Sequence, residues 1–327
     1  MKALRDLLAS LGPASTIAVC GHTRPDGDAM GSVLGLSLAL RDAGLDVLPL
    51  LADASPTPPA YSWMPCADAL IPVSSLDAER RFDLLIIVDT PVIERLGQAG
   101  QLLARCDRTF LIDHHPARGS YTDQSLCDPG AAATGLLLWE ILPELKLQRT
   151  PAVATCCYTA LLSDTGSFRF SNTDARALEG ASSMVAAGAD PALIATALFA
   201  NKPLAALRLD ELVLSRAQLE NAGAVVVSHY DQGDLSRLGV DVGWTEDLID
   251  LIRVVEGAGI ALLFVGTDAG ARVSLRSSGS FDVSEVAMRF GGGGHHAAAG
   301  ITWPDKEASI PEIRDRLLAL LPQGAQK

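Results

Sequence analysis

The pattern of apolar positions over the first 115 residues alternates between two periods. A continuous apolar run predicts a strand that is buried on both faces, as in a parallel sheet. Four such runs occur, at residues 16–21, 46–51, 82–88 and 108–112. Two segments carry apolar positions at helical spacing, residues 29–43 and 92–104. This order of strands and helices predicts a doubly wound α/β domain with a mainly parallel sheet.

The rest of the chain is first mainly helical and then α/β again. The spacing predicts helices at residues 132–142, 152–162, 174–187, 191–200 and 203–220. The strand-like runs that follow lie at 224–229, 260–265 and 271–276, and the helical patterns at 246–255, 283–290 and 310–321. We therefore expect an α/β protein with a first domain over residues 1–190, a helical linker over 191–220, and a smaller α/β domain over 221–327.

Length and composition agree with two folded domains. The 327 residues exceed what one hydrophobic core usually spans, and an apolar fraction of 48% argues against disorder. The chain has 39 acidic and 26 basic residues, for a formal net charge of −13. Because neutralising many phosphates needs a basic surface, this excess of acid argues against binding of long duplex nucleic acid.

The sequence also predicts a compartment. The first residues form a charged, amphipathic stretch without the apolar core of a signal peptide. No run of about 18 apolar residues is present, which argues against a membrane span. The six cysteines show no CxxC spacing and read as reduced core residues. We expect a cytoplasmic protein, monomeric or homodimeric.

Acidic residues and histidines follow the predicted strands directly. They are His22, Asp26 and Asp28 after the first strand, Asp89 after the third, and Asp113, His114 and His115 after the fourth. In an open parallel sheet, ligands bind at the carboxyl ends of the strands, where the strand order reverses. These side chains are therefore expected in one crevice, and Asp164, which follows a predicted helix, could reach it.

Such a set of side chains suits divalent metal ions. Carboxylates brought together repel one another unless protons or cations intervene. Imidazoles with carboxylates suit ions such as Mn²⁺, and six or seven ligands are enough for two ions that share a carboxylate. Taken alone, PDGD at residues 25–28 also suits a turn, and Asp89 also suits a helix cap. The joint placement at strand ends favours the metal site.

Four motifs in the first domain resemble, in order, those of the DHH phosphoesterase superfamily: GHTRPDGDAMGS, IIVDT, LIDHHP and LLSDTGSFRFSNT. The later segment ARVSLRSSGSFDVSEVAMRFGGGGHHAAAG resembles the companion DHHA1 domain. Within the superfamily, the length and the direct pairing of the two domains are most similar to the oligoribonuclease and pAp phosphatase group, the nanoRNases.

The resemblance implies a role for each clustered residue. Two divalent cations are implied, most often Mn²⁺ in the family, with Mg²⁺ or Co²⁺ as alternatives. Their ligands are His22 and Asp26 for one ion, Asp28, His114 and Asp164 for the other, and Asp89 between them. His115 would face the scissile phosphate, and Asp113 would orient the histidines.

The one glycine-rich tract, residues 291–300, lies in the second domain. Its bare backbone N–H groups suit a phosphate, while the alternative interpretation is a flexible hinge. The resemblance implies that Arg276, Gly293, Gly294 and His295 hold the substrate. An arginine offers a planar fork that suits phosphate.

Two kinds of phosphoesterase and one binding module fit these features. The first interpretation is an exonuclease that hydrolyses short oligoribonucleotides to mononucleotides by a metal-activated hydroxide and also converts 3′-phosphoadenosine 5′-phosphate (pAp) to AMP. The second keeps this chemistry and acts on linear or cyclic dinucleotides such as pApA and cyclic di-AMP. The third is a nucleotide-sensing module without turnover. In each, the partner is a short nucleotide and neither long duplex nucleic acid nor a membrane.

Overall fold

The computed structural model describes residues 1–12, 14–52, 57–116, 119–245, 247–267, 270–279, 281–303, 305 and 308–324, with His295 described by its backbone. The chain divides into two compact units, Met1–Asn201 and Lys202–Lys327. Each unit has its own sheet and its own apolar core. A separate helical linker over 191–220 stays a prediction.

The first unit is built on a six-stranded parallel sheet. Its elements are α1 (Lys2–Ala9), β1 (Thr16–Cys20), α2 (Gly27–Asp42), β2 (Asp46–Leu51), β3 (Ile71–Pro72), β4 (Leu84–Val88), β5 (Thr109–Asp113), β6 (Gln124–Cys127), α3 (Thr134–Ile141), α4 (Pro151–Asp164), α5 (Ala175–Ala186) and α6 (Pro191–Phe199). The strand order is β3-β2-β1-β4-β5-β6, and every pair is parallel. The doubly wound fold is thereby confirmed, with the order reversing between β1 and β4.

The core of this unit explains why its strands lack polar residues. Every residue of β4 and β5 is buried, because helices cover both faces of a parallel sheet. Helix α2 is buried along most of its length and packs closely on α4. At Gly31 a Cβ atom would lie 2.4 Å from the carbonyl oxygen of Cys156, so only glycine allows this approach. The packing brings the start of α2 close to the end of α4.

The second unit is a smaller α/β domain, as the sequence predicts. Its elements are α7 (Leu204–Ser215), β7 (Gln218–Glu220), β8 (Val225–Asp231), α8 (Gln232–Leu238), α9 (Leu248–Ile252), β9 (Ile260–Thr267), β10 (Gly270–Ser277), α10 (Val283–Met288), β11 (Gly293–His295), β12 (Ala298–Thr302) and α11 (Ile310–Leu318). The sheet order is β11-β12-β10-β9-β8-β7. Among the strands of the described residues, only β8 and β9 pair in parallel, and the sheet is therefore mixed.

Three predicted helices differ from the structure. Residues 93–105 form a 3-10 segment interrupted at Gly97, which has a φ of 50°, where an α-helix was predicted. The predicted helix 203–220 ends at Ser215, and its last three residues form the edge strand β7. Of the predicted helix 246–255, Leu248–Ile252 is helical, and Glu246 lies outside the described residues.

Five strands have no counterpart in the sequence prediction: β3, β6, β7, β11 and β12. They are two to five residues long, and β6 and β7 are largely exposed, so they lack an apolar pattern. In the described part of the chain, no single helix is long and apolar enough to cross a membrane. Only α5 and α6 taken together, at an angle of 109°, meet that test of length and composition.

Candidate metal centre

All eight residues that the sequence places at this site meet at the carboxyl end of the first sheet. His22 follows β1, Asp89 follows β4, and Asp113, the last residue of β5, precedes His114 and His115. Helix ends supply the other three: Asp26 and Asp28 at the start of α2, and Asp164 at the end of α4. The site therefore lies where the strand order reverses, which is the position that doubly wound sheets favour for ligands.

One group of three side chains surrounds the Nε2 atom of His22. This atom lies 3.5 Å from Oδ2 of Asp26 and 3.5 Å from Oδ2 of Asp89. The other ring nitrogen, Nδ1, donates to the carbonyl oxygen of Thr23 at 2.8 Å. In the neutral ring, Nε2 therefore carries the lone pair that a metal ion needs. It is buried and has no hydrogen-bond partner among the described residues, which fits a cation there.

Each of the two carboxylate oxygens of Asp26 makes a different contact. Its Oδ1 atom accepts a hydrogen bond from the backbone N–H of Ala29 at 2.9 Å and caps α2. Its Oδ2 atom faces His22. A helix cap and a metal ligand are thus compatible at Asp26.

A second group surrounds the Nε2 atom of His114. This atom lies 3.7 Å from Oδ2 of Asp28 and 3.5 Å from Oδ2 of Asp164. Its Nδ1 atom donates to the carbonyl oxygen of Ala131 at 3.1 Å, which again directs the lone pair of a neutral ring into the cluster. The arrangement repeats that of His22 on the other side of Asp89.

Asp89 belongs to both groups. Its Oδ2 atom faces His22, while its Oδ1 atom lies 3.6 Å from Nε2 of His114 and 3.3 Å from Nδ1 of His115. Donor atoms within 4.8 Å of one another define three triads in the described residues: His22, Asp26 and Asp89; Asp28, His114 and Asp164; and Asp89, His114 and His115. One carboxylate that contacts both groups could be shared by two ions.

Asp113 fixes the ring of His115. Its Oδ1 atom accepts from the backbone N–H of His115 at 2.9 Å and from Nδ1 at 2.7 Å. Since Nδ1 is a donor in this contact, a neutral ring carries its lone pair on Nε2, and a protonated ring donates from it. Asp113 is itself buried, so its carboxylate orients the ring without contact with solvent.

The carboxylates raise the pKa of the histidines. Burial and the nearby charge of Arg95 act to lower the pKa of His22, but Asp26 and Asp89 outweigh them and raise it to about 9. Burial also opposes the change at His115, where hydrogen bonds donated by the ring to Asp113 and Asp89 raise the pKa to about 9. Without another cation, these rings hold protons that balance part of the negative charge.

The carboxyl groups divide into two kinds. Burial, followed by the charge of Asp89, raises the pKa of Asp28 to about 7. Burial, followed by the charge of Asp28, raises the pKa of Asp164 well above its usual range. Asp89 differs: burial would raise its pKa, but its interactions with His115 and His22 outweigh burial and hold the pKa well below the usual range. The cluster therefore favours cations, with Asp89 ionised at its centre.

Sequence reasoning missed the contacts that Thr134 and Gly135 make with the carboxylates. The backbone N–H groups of Thr134 and Gly135 donate to Oδ2 and Oδ1 of Asp28 at 2.7 and 2.8 Å, and the hydroxyl of Thr134 donates to Oδ1 of Asp89 at 3.2 Å. The predicted helix 132–142 was the sequence feature that could have indicated these contacts, because the free N–H groups at the start of a helix bind anions such as carboxylates.

The residues predicted to hold substrate lie together in the second sheet. Arg276 on β10 and His295 on β11 both pair with Ala298 of β12, so the three form one row across three strands. The side chain of His295 lies outside the described residues. Gly294 has a φ of 150°, and a Cβ there would lie 2.2 Å from the carbonyl oxygen of Ala298. Close pairing with β12 thus explains why residue 294 is a glycine, and the glycine-rich tract contributes strand β11 to the sheet.

Comparison with known proteins agrees with both domains. Residues 16–161 match the N-terminal domain of the DHH family, and residues 223–322 match the DHHA1 domain. The bifunctional oligoribonuclease and PAP phosphatase NrnA of Thermus thermophilus is 30% identical over 314 residues, 92% of this chain and 88% of that protein. The cyclic-di-AMP phosphodiesterase GdpP of Geobacillus thermodenitrificans is 27% identical over 92% of this chain, which corresponds to 46% of that protein.

A solved structure shows the same fold. The exopolyphosphatase-related protein from Bacteroides fragilis superposes with a TM-score of 0.86 over 98% of this chain and 95% of that one, at 20% identity. The resemblance drawn from the sequence motifs is confirmed by these matches. With both domains matched in order, and with 30% identity to a relative over most of both chains, this protein belongs to the DHH family and carries the DHHA1 domain.

Proposed function

We propose that this protein is a metal-dependent phosphoesterase that hydrolyses short oligoribonucleotides to mononucleotides and removes a phosphate from pAp. The observation that carries the proposal is the pair of ligand triads on either side of Asp89. The NrnA relative, named for these two activities, supports the choice of substrate.

The proposed centre holds two divalent cations, with Mn²⁺ as the first choice. His22, Asp26 and Asp89 would hold one ion, and Asp28, His114, Asp164 and Asp89 the other. Two ions in such a site supply an activated water and positive charge for the oxygens of a phosphoryl group. The backbone carbonyl oxygens of Thr23 and Ala131 fix the tautomers of both ligand histidines and so direct their Nε2 atoms into the cluster.

His115 would act directly on the scissile phosphate. Asp113 holds its ring through Nδ1, so the protonated ring donates from Nε2. A charged donor directed at a phosphoryl oxygen stabilises the negative charge that develops there. In the metal-free protein the neighbouring carboxylates raise the pKa of His115 to about 9, and the contact with Asp113, which is outside the proposed ligand set, favours the protonated ring when ions are bound as well.

The second unit would hold the substrate through Arg276, Gly293, Gly294 and His295. Arg276 is half-buried on β10, and the guanidinium matches the geometry of phosphate oxygens. The backbone of β11 at Gly293 and Gly294 lies two strands away in the same sheet.

A dinucleotide phosphodiesterase is the second candidate function, favoured by the identity to GdpP over 92% of this chain. Both activities use the same metal centre and differ only in substrate. A nucleotide-binding module without turnover is disfavoured, since every ligand of the two triads is present.

Asp89→Asn is expected to lower the release of mononucleotides from a labelled diribonucleotide, and of phosphate from pAp, by more than about 100-fold. Loss of a group that only supports a metal ligand lowers activity by up to about 100-fold, and loss of a ligand that both ions share should lower it more. Product analysis over time with Mn²⁺ measures this, with Asp107→Asn, an exposed partner of Arg81, as the control that keeps activity. Full activity of Asp89→Asn would refute the mechanism.

Competition between substrates separates the two candidate functions. We expect diribonucleotides and pAp to be consumed first when they are mixed at equal concentration with pApA, cyclic di-AMP and a long RNA. The long RNA should react slowest, because the acidic chain offers little to a long phosphate backbone. Preferential loss of cyclic di-AMP would instead assign the protein to the second function.

Arg276→Ala is expected to raise KM by roughly 10-fold or more while kcat and Mn²⁺ binding change little, because one charged hydrogen bond to phosphate is lost. Arg272→Ala is the matched control, since Arg272 lies on the same strand and faces the same side of the sheet. Steady-state kinetics distinguishes the two variants. Equal effects of both changes would argue against a specific contact at Arg276.

The stability of metal-free protein should fall as the pH rises from 6.5 to 9. The pKa of His22 and His115 is about 9 in the folded protein and 6.5 in the unfolded chain. The protonated rings therefore stabilise the folded state fully below pH 6.5, and this stabilisation is lost as the pH rises to 9 and above. Asp28 acts in the same direction at lower pH, because its pKa is raised from 3.8 to about 7 and its contribution is lost between those two values.

Thermal unfolding in a chelator and in Mn²⁺ tests this dependence. Mn²⁺ should raise Tm more at pH 9 than at pH 6.5, because protons no longer compete for the histidines. His229→Gln, at an exposed position in the second unit, should leave the dependence intact. A metal-induced gain that is larger at the lower pH would contradict the expected linkage.

A further inference from the structure

We propose that Thr134 is a positioning residue that holds one carboxylate from each ligand group and so fixes the two ion sites relative to each other. The inference rests on the proposed function, since it assumes that both groups bind metal. It concerns a residue that is not a ligand and is completely buried.

Thr134 contacts both carboxylates at once. Its backbone N–H donates to Oδ2 of Asp28 at 2.7 Å, and its hydroxyl donates to Oδ1 of Asp89 at 3.2 Å. Asp28 and Asp89 are almost fully buried themselves, so water does not replace either contact easily. A single residue thus connects the group around His114 with the group around His22.

The start of α3 explains why a threonine can do this. The first N–H groups of a helix have no partner within the helix, and the N-cap residue, Ala133, has no side chain that could accept from them. The carboxylate of Asp28 takes that role for Thr134 and Gly135. The backbone of Thr134 is therefore fixed against Asp28, which leaves its side chain at a defined distance from Asp89.

The hydroxyl sets the rotation of the Asp89 carboxylate. With Oδ1 accepting from Thr134, the same oxygen lies 3.6 Å from His114, and Oδ2 lies 3.5 Å from His22. A bridging carboxylate needs one oxygen directed to each ion. Loss of the hydroxyl would let the carboxylate turn and would weaken the coupling between the two ion sites.

Two substitutions separate the hydroxyl from the shape of the side chain. Thr134→Val keeps the shape and the backbone N–H but removes the hydroxyl. Thr134→Ser keeps the hydroxyl and loses a methyl group. Thr159→Val is the matched control, because Thr159 is equally buried and its hydroxyl donates to the carbonyl oxygen of Thr155 within α4.

Titration of the metal-free full-length chain with Mn²⁺ alone, followed by the EPR signal of free Mn²⁺, tests the proposal. Wild type, Thr134→Ser and Thr159→Val should bind two ions with similar affinity. Thr134→Val should bind at least one ion about 10- to 100-fold more weakly, the size of effect known for groups that orient metal ligands. Its kcat should fall while KM changes little, because Thr134 acts on the centre and not on substrate capture.

The outcomes distinguish this inference from the proposed function. If wild type binds no Mn²⁺, both fail. If wild type binds two ions but hydrolyses neither diribonucleotides nor pAp, the proposed substrate fails and the role of Thr134 stands on the titration. Thr134→Val with wild-type affinity, or Thr134→Ser as weak as Thr134→Val, overturns the role of the hydroxyl. Should Thr134→Val not fold, Thr134→Ala removes the same hydroxyl without adding a methyl group beside Asp89.

Discussion

The mutual repulsion of carboxylates is the constraint on which this structure depends. Asp28, Asp89 and Asp113 are buried together at one end of the first sheet, with Asp26 and Asp164 half-buried beside them. Burying charges of one sign is costly unless protons, hydrogen bonds or cations balance them. The raised pKa of His22, His115 and Asp28 is the response of the protein's own groups to this repulsion. Metal ions would balance this charge further, and the donor atoms of three groups of side chains lie within 4.8 Å of one another, close enough to hold them.

Rigid elements hold these charges together against their repulsion. The strands that end at the site are buried over almost their full length, so their ends cannot move apart without disrupting the core. Helices α2 and α4 approach each other through Gly31, and this places Asp28 and Asp164 in the same group. The dense apolar sheet and the acidic cluster thus depend on each other: the sheet supplies the positions, and the cluster supplies the chemistry.

The residues of the site could be predicted from the sequence, whereas the contacts that hold them in place could not. His22, Asp89 and His114 each follow an apolar run, and parallel strands bring such positions together wherever the helices between them lie. The contact of Thr134 with Asp28 joins residues 106 positions apart. It depends on the exact position at which α3 begins, and no local pattern encodes that. The strands β11 and β12 were missed for a related reason, since glycine and alanine carry no period and their pairing is decided by close backbone approach.

The net charge of the chain bears on which substrates suit such a centre. Under the proposed function, two divalent cations would add four positive charges and take the formal charge from −13 to −9. The protein would remain acidic, so under the proposed function the attraction for a nucleotide is local and comes from the ions, from His115 and from Arg276. A long nucleic acid gains affinity by contacting many cationic residues along its backbone, and an acidic surface opposes this at every further phosphate. A nucleotide with one or two phosphates is attracted by these nearby cationic groups and is repelled little by the acidic residues elsewhere on the protein. The same charge that argues against long nucleic acid is therefore compatible with short oligoribonucleotides and with pAp.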